Sequence, residues 1–198
     1  GGVEKMSPGK FKTINIPSSV NCIAEDNTGK VWLGTDNGLL CYYKGNFIEN
    51  ELTRMCKDIR IRHVGQAIDK SLLVCAYSKY GLIKKSPDGS IQYWNQSKGI
   101  AGDRTRVAIT TSDNKLYVGT TTGLSVIDSN GKITNYTRAD GLENEYIMCL
   151  YEADDGSIWI GTDGGGISVL KDNQFVKSFN TNMLCTIIDI RGDYAYVR

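Results

Sequence analysis

Histidine, charge of one sign and long apolar runs are all scarce in this sequence, and each shortage excludes something. The 198 residues hold a single histidine, His63. Histidine is the commonest metal ligand and the side chain best suited to proton transfer near neutral pH, so both roles start with one candidate. Lys and Arg number 23 against 22 Asp and Glu, a net charge of +1 with the signs well mixed. No basic stripe points to nucleic acid, and no polybasic cluster points to an anionic lipid surface. Apolar runs extend only a few residues, too short for a bilayer-spanning helix or direct membrane insertion. No segment keeps a 3.6-residue apolar period over a useful length, so little helix is expected beyond a single turn within 50–60. No signal peptide is visible; the Gly1-Gly2 start, without Met, reads as a trimmed one, so a missing targeting segment says little about location.

Cysteine is plentiful by contrast, at positions 22, 41, 56, 75, 149 and 185. Zinc sites need clustered Cys and His, and here there is no C-x-x-C, so neither a metal nor another cofactor is expected. Buried free Cys behaves as a small hydrophobe, and core filling is the reading adopted. Cys22, Cys149 and Cys185 are assigned to one place in a repeat, with Ala108 at the fourth copy, and Cys75 stands where other copies have glycine. An oxidising compartment would allow disulfides.

The repeat itself is the strongest signal. Val31-Trp32-Leu33-Gly34-Thr35 runs on to Gly38-Leu39, and Leu116-Tyr117-Val118-Gly119-Thr120 to Gly123-Leu124. Ile158-Trp159-Ile160-Gly161-Thr162 leads to Gly166-Ile167, while a weaker copy, Leu72-Leu73-Val74-Cys75-Ala76, leads to Gly81-Leu82. The second glycine falls at 38, 81, 123 and 166, in steps of 43, 42 and 43 residues. Each unit reads as four short strands, A to D from the axis outward, joined by tight turns such as Asp154-Asp155-Gly156. The expected fold is therefore all-β, a β-propeller of four-stranded antiparallel blades with a period near 43 residues. Trp32, Tyr117 and Trp159, with Leu73 in the weak copy, are read as packing between blades rather than as ligand stackers.

As one repeat array, the chain divides into a leading outer strand (1–19), blades over 20–49, 61–94, 105–137 and 146–179, and a partial blade over 182–198. Lys10 to Pro17 matches strand D, Asn182 to Asp189 matches strand A, and Tyr194 to Val197 opens a strand B. Were these to share a blade, it would lack strand C. Two architectures follow: a small ring of about five blades with one thin blade, or an arc of a longer propeller, completed by further blades or by another copy of the chain. Open arrays expose apolar ends and tend to associate, and the arc, with a homo-oligomer or missing blades as its partner, is preferred.

"EADDGSIWIGTDGGGISVL" (152–170) and "EDNTGKVWLGTDNGLLCYY" (25–43) resemble the two-component regulator propeller repeat, and "TSDNKLYVGTTTGLSVID" (111–128) is a looser copy. The linking phrases "YTRADGLENEYI" (136–147) and "WNQSKGIAGDRT" (94–105) fit the same family. The second copy departs most, with Cys75-Ala76 for Gly-Thr and a longer turn over Tyr77-Ser78-Lys79-Tyr80. The resemblance implies the extracytoplasmic, periplasmic sensor portion of a hybrid two-component receptor of the kind typical of gut Bacteroidetes. In that family two seven-bladed propellers commonly precede an immunoglobulin-like domain, a membrane helix and a histidine kinase, and the ligands are often oligosaccharides. Nothing in this chain resembles the kinase, membrane helix or receiver.

A ligand is expected on the face where D–A and B–C loops gather. Sugars call for flat aromatic faces beside planar polar groups, and the best such set is Tyr77, Lys79, Tyr80, Arg104, Arg138, Asn144 and Tyr146. No catalytic residue is assigned. His63 lies near a strand A and reads as structural, and Asp154-Asp155 reads as a hairpin turn rather than a glycosidase or calcium pair. Asp163-Gly164-Gly165-Gly166 joins two strands, so it is no phosphate loop. The leading function is a ligand-sensing module for an oligosaccharide or other small extracytoplasmic ligand. The alternatives are a propeller-fold lyase or hydrolase, since streptogramin lyases use a similar-looking fold, and a protein-interaction scaffold.

Overall fold

A computed structural model describes residues 2–7, 10–180, 182, 184–186, 188–191 and 194–197, with backbone only for 2–7, 10–12, 190, 191, 194, 195 and 197. The chain opens with a hairpin of β1 (Gly2–Ser7) and β2 (Lys10–Asn15). Blade 1 follows as β3 (Val20–Glu25), β4 (Val31–Thr35), β5 (Gly38–Tyr43) and β6 (Asn46–Phe47). After helix α1 (Glu51–Met55), blade 2 is β7 (Ile61–Gln66), β8 (Leu72–Ala76), β9 (Leu82–Lys85) and β10 (Ile91–Trp94). Blade 3 is β11 (Thr105–Thr110), β12 (Leu116–Thr120), β13 (Leu124–Ile127) and β14 (Ile133–Tyr136). Blade 4 is β15 (Ile147–Glu152), β16 (Ile158–Thr162), β17 (Ile167–Lys171) and β18 (Gln174–Phe179), and β19 (Ile188–Arg191) pairs with β20 (Tyr194–Val197) at the end. Each blade is one antiparallel sheet in sequential order. The fold is the expected propeller, with four complete blades and partial blades at both ends.

The ends differ from expectation. Where a single leading outer strand is expected over 1–19, two strands pair, so β1 occupies the place of a strand C beside the D-like β2. The hairpins β1–β2 and β19–β20 are separate two-stranded sheets, and no strand pairing joins them among the described residues.

Apolar burial lies between blades rather than in one central core. Trp32, Leu39 and Cys41 of blade 1 meet Ile61, Val64, Leu72, Val74 and Ile83 of blade 2. Leu73, Cys75 and Leu82 meet Ala108, Leu116 and Val118 across the next seam. Tyr117, Leu124 and Val126 meet Ile147, Ile158 and Ile160, and Val169 with Trp159 meets Cys185 and Ile188. The strand-B aromatic thus does the packing its position requires. Trp32 and Tyr117 are buried, and Trp159 packs against the cluster of Cys185 and Ile188 while stacking on Phe179 of its own blade with centroids 5.7 Å apart.

Near the axis the seams leave no room for a strand-B side chain. A Cβ on Gly34 would lie 2.4 Å from Cys22 Sγ and 2.7 Å from Ile61 Cγ2, and one on Gly119 would lie 2.5 Å from Ile147 Cγ2. On Gly161 it would lie 2.4 Å from Cys149 Sγ and 2.8 Å from Cys185 Sγ. These contacts correct the cysteine assignment. Cys22, His63, Val107 and Cys149 share one register position, opposite Gly34, Cys75, Gly119 and Gly161. Val107, not Ala108, is therefore the third copy, and Cys185 fills the slot of Ile61 and Ile147 on the following blade. No disulfide joins the described cysteines, and burial pushes the Cys22 thiol up to about 11 and that of Cys56 up to about 12.

Blade 2 carries Cys75-Ala76 in place of Gly-Thr, and blade 3 compensates for both changes. In the other blades the threonine hydroxyl closes the B–C turn: Thr35, Thr120 and Thr162 Oγ1 donate to the carbonyls of Gly38 (2.9 Å), Gly123 (2.9 Å) and Gly166 (3.0 Å). Ala76 has no hydroxyl, and Thr105 Oγ1 of blade 3 donates to Gly81 O instead, at 2.9 Å. Thr105 occupies the slot of Ile61 and Ile147, and its smaller side chain leaves space for Cys75. The turn glycines meet a separate demand. Gly81 and Gly123 have φ of +60° and +135°, and a Cβ would lie 2.4 Å from Trp94 O and 2.7 Å from Tyr136 O.

Thr105→Val removes the side-chain donor to a buried carbonyl and should lower unfolding stability by about 1–2 kcal/mol in urea titrations, with Ala76→Thr restoring much of the loss. Gly119→Ala forces a methyl group against Ile147 and should cost about 1–3 kcal/mol by the same measurement.

Candidate ligand site at the axial mouth

The D–A connections build the rim of the mouth. Each begins with a capped turn: Asn50 Oδ1 accepts Thr53 N at 3.1 Å, Asn95 Oδ1 accepts Lys98 N at 3.1 Å, and Thr137 Oγ1 accepts Ala139 N at 3.3 Å. A left-handed glycine, Gly99 or Gly141, then turns the chain inward, and the next residue, Ile100 or Leu142, is buried. Ser125 and Ser168 Oγ anchor the segment that follows by accepting Ala101 N (2.8 Å) and Glu143 N (3.1 Å).

Where these connections enter strand A, every complete blade carries a β-bulge. The register slips between Val20 and Cys22, Ile61 and His63, Thr105 and Val107, and Ile147 and Cys149. The bulged residues are Asn21, Arg62, Arg106 and Met148. A bulge breaks the alternation of a strand and re-aims its side chain, here at the axial end of each blade.

Arg106 forms the centre of the site. Its Nη1 donates to Tyr77 Oη at 2.8 Å and to Tyr146 Oη at 2.9 Å, and the two hydroxyls lie 3.4 Å apart. Its guanidinium lies 4.8 Å from the Tyr146 ring centroid, and Arg62 lies 5.8 Å from that of Tyr77. Three blades meet here: Tyr77 follows β8, Arg106 belongs to β11, and Tyr146 precedes β15. Burial holds the Tyr77 hydroxyl above its ordinary pKa, whereas the hydrogen bond from Tyr77 and the nearby Arg106 and Arg62 charges draw that of Tyr146 down. Beside them Arg60 Nε pairs with Asp36 Oδ1 at 2.8 Å, which also accepts Asn21 Nδ2 at 3.0 Å.

The residues expected from sequence divide into groups. Tyr77 and Tyr146 join directly, and Arg104 lies beside Tyr77 through an isolated antiparallel bridge. Asn144 shapes the rim, donating from Nδ2 to Asp163 O at 2.6 Å and accepting Tyr146 N at 2.9 Å. Tyr80 turns away, packing edge-on against Tyr93 at 5.4 Å with Lys79 Nζ 5.3 Å from its ring centroid. Arg138 is exposed in the turn after β14. Arg62 and Arg106 were not among the expected residues. Both stand one residue after the strand-A entry positions Ile61 and Thr105, and that shared position was the available signal.

Other features lie outside this cluster. A groove of about 650 Å³ flanks α1, lined by Leu39, Leu40, Phe47, Ile48, Thr53 and Lys57 among others. The His63 ring lies over Gly65, where a Cβ would be 2.8 Å from Cε1, and its buried Nδ1 has no hydrogen-bond partner. Asp155 serves its turn, accepting Ser157 N at 3.0 Å and Lys171 Nζ at 2.8 Å. No group of three or more His, Cys, Asp or Glu among the described residues could hold a metal ion.

The blades and their axial mouth define a β-propeller. Within that class, residues 16–37 and 141–164, the entry and first two strands of blades 1 and 4, match the model of the two component regulator propeller. Solved structures share the fold. Virginiamycin B lyase from Staphylococcus aureus superposes with a TM-score of 0.77 at 16% identity, over 99% of this chain and 69% of the lyase. The extracellular domain ascribed to a hybrid two component system of B. thetaiotaomicron gives 0.53 at 14% identity, over 91% of this chain and 33% of that one. PorZ, a surface component of the type-IX secretion system of Porphyromonas gingivalis, gives 0.70 at 12% identity, over 100% and 35%. At these identities the likeness shows the fold alone, and the chain spans only about a third of the latter two proteins. No curated protein matches the sequence. No helix among the described residues is long and apolar enough to cross a membrane.

Burial lowers the His63 pKa to about 4 from an ordinary 6.5. The unfolded chain therefore binds the extra proton first, and stability that is complete above pH 6.5 is lost as pH falls toward 4. Urea titrations should show a decline on the order of 3 kcal/mol across that window, absent in His63→Gln.

Proposed function

We propose that this chain is the ligand-sensing propeller module of a two-component signalling receptor, on the periplasmic side of the inner membrane, and that its ligand is an oligosaccharide held at the axial mouth. The carrying observation is the Tyr77–Arg106–Tyr146 cluster, built by three blades of an array that bears two-component regulator propeller repeats. A pyranose presents an apolar face and a rim of hydroxyls. Two half-buried tyrosine rings beside guanidinium donors offer contacts for both. The reading is of binding without catalysis. His63 is held neutral within a strand, and Asp155 is committed to its turn.

Signalling would follow from population shift. A ligand moves a receptor between two arrangements only by binding one better than the other. A site shared by blades 2, 3 and 4 meets that requirement in principle, because its affinity depends on how those blades are disposed.

The test is isothermal titration of the chain with a panel of plant and host oligosaccharides. Tyr77→Ala or Tyr146→Ala should weaken binding of any positive member by roughly tenfold or more, while Tyr80→Ala leaves it within about twofold. Unchanged affinity in both of the first two variants would overturn the assignment.

A further inference from the structure

We infer that the mouth recognises an anionic group, a carboxylate carried by the sugar, through the free edge of Arg106 with Arg62 beside it. The inference rests on the mouth being the ligand site and adds the chemical class of what it takes.

Charge accounting at the mouth comes first. Four arginines stand at or beside the strand-A entries of blades 2 and 3: Arg60, Arg62, Arg104 and Arg106. Only Arg60 has a carboxylate partner, Asp36 at 2.8 Å. No ion pair to Arg62, Arg104 or Arg106 occurs among the described residues. Several rim carboxylates are near in sequence, and those beside the arginines are held by backbone: Asp103 Oδ1 accepts Gln96 N at 2.6 Å. Glu145 Oε1 accepts Arg138 N at 3.3 Å, and Asp163 lies on the exposed B–C turn of blade 4. Elsewhere in the blades a turn carboxylate takes the nearby lysine, as in Lys84–Asp69, Lys115–Asp113 and Lys171–Asp155. At the mouth one pair of that kind remains, Arg60 with Asp36 of the blade 1 B–C turn, and it leaves Arg62, Arg104 and Arg106 without an ion pair among the described residues.

The second observation is atomic. Arg106 uses Nη1 for both tyrosine hydroxyls, which fixes the plane of the guanidinium. Its Nε is buried and has no hydrogen-bond partner. A buried donor without an acceptor is costly and uncommon, and an incoming acceptor would relieve that cost. The Nε–Nη2 edge is one of the two edges on which a carboxylate docks with parallel hydrogen bonds. The tyrosines accept from Nη1 and leave the Nε–Nη2 edge without a hydrogen-bond partner among the described residues. Arg62, placed by the equivalent bulge one blade away, adds a second positive charge; it makes no ion pair among the described residues, although the Asp36 carboxylate lies near enough to feel its charge.

The experiment compares matched ligands that differ in charge alone. Titrate the 198-residue chain with digalacturonate and its dimethyl ester, and with 3′-sialyllactose and its methyl ester, and run the same titrations on Arg106→Gln and Arg62→Gln. Thermal melts establish that the variants fold. The expected result is that an acidic member binds at least tenfold tighter than its neutral match. Affinity should fall roughly tenfold or more in Arg106→Gln, by a smaller factor in Arg62→Gln, and further as salt is raised. Equal binding of acidic and neutral members, unaffected by Arg106→Gln, would overturn the anionic inference and leave the oligosaccharide reading standing. Absence of binding by all four ligands would overturn the carboxylate inference, and absence of binding across the wider panel would overturn the oligosaccharide reading as well.

Discussion

Close approach of neighbouring blades at the axis is the constraint on which the rest of this structure depends. Strand B of one blade must come near enough to strand A of the next that a single Cβ would overlap it. At Gly34, Gly119 and Gly161 the absent side chain is matched by Ile61, Ile147 and Cys185 from the following blade. Where strand B keeps a side chain, at Cys75, the following blade supplies the smaller Thr105. Volume is traded across each seam, pair by pair, as close packing demands. The same trade returns the turn-closing hydroxyl that Ala76 lacks. The weak second copy is therefore a locally consistent variant of the others.

The seam and the mouth use strand A differently. Just past its first residue, each strand A bulges, and the bulged residues are Asn21, Arg62, Arg106 and Met148. Their identities differ while the bulge recurs, which separates what the array needs from what a ligand would need. Placing the variable position on a repeated backbone irregularity lets each blade contribute a different group to one point. Rigid strands rather than loops then hold the two arginines.

Much of the fold could be read from the residues, because a 43-residue period, turn glycines and a strand-B aromatic are local patterns. The capped turn over Glu51–Met55 fell inside the segment where a single turn was expected. Register was not local. A bulge exists only relative to a partner strand, so Arg62 and Arg106 looked like ordinary strand residues, and Cys185 and Ala108 were placed in the wrong slot. Tyr80 looked as exposed as Tyr77, three residues away. Its partner Tyr93, on β10, draws it outward, and nothing in the turn sequence shows that. The pairing of β1 with β2 likewise depends on a strand with no copy of the repeat's signature.

Burial divided into successive inter-blade clusters also has a mechanical side. In such an array stability is close to a sum of unit and nearest-neighbour terms, so one seam can loosen while the others hold. A molecule gripping Tyr77, Arg106 and Tyr146 at once would bridge the seams between blades 2 and 3 and between 3 and 4. Its effect would reach the stiffness of the array as well as its shape. A message carried by lost wobble needs no large displacement, only a neighbouring element that senses how firmly three adjacent blades are held.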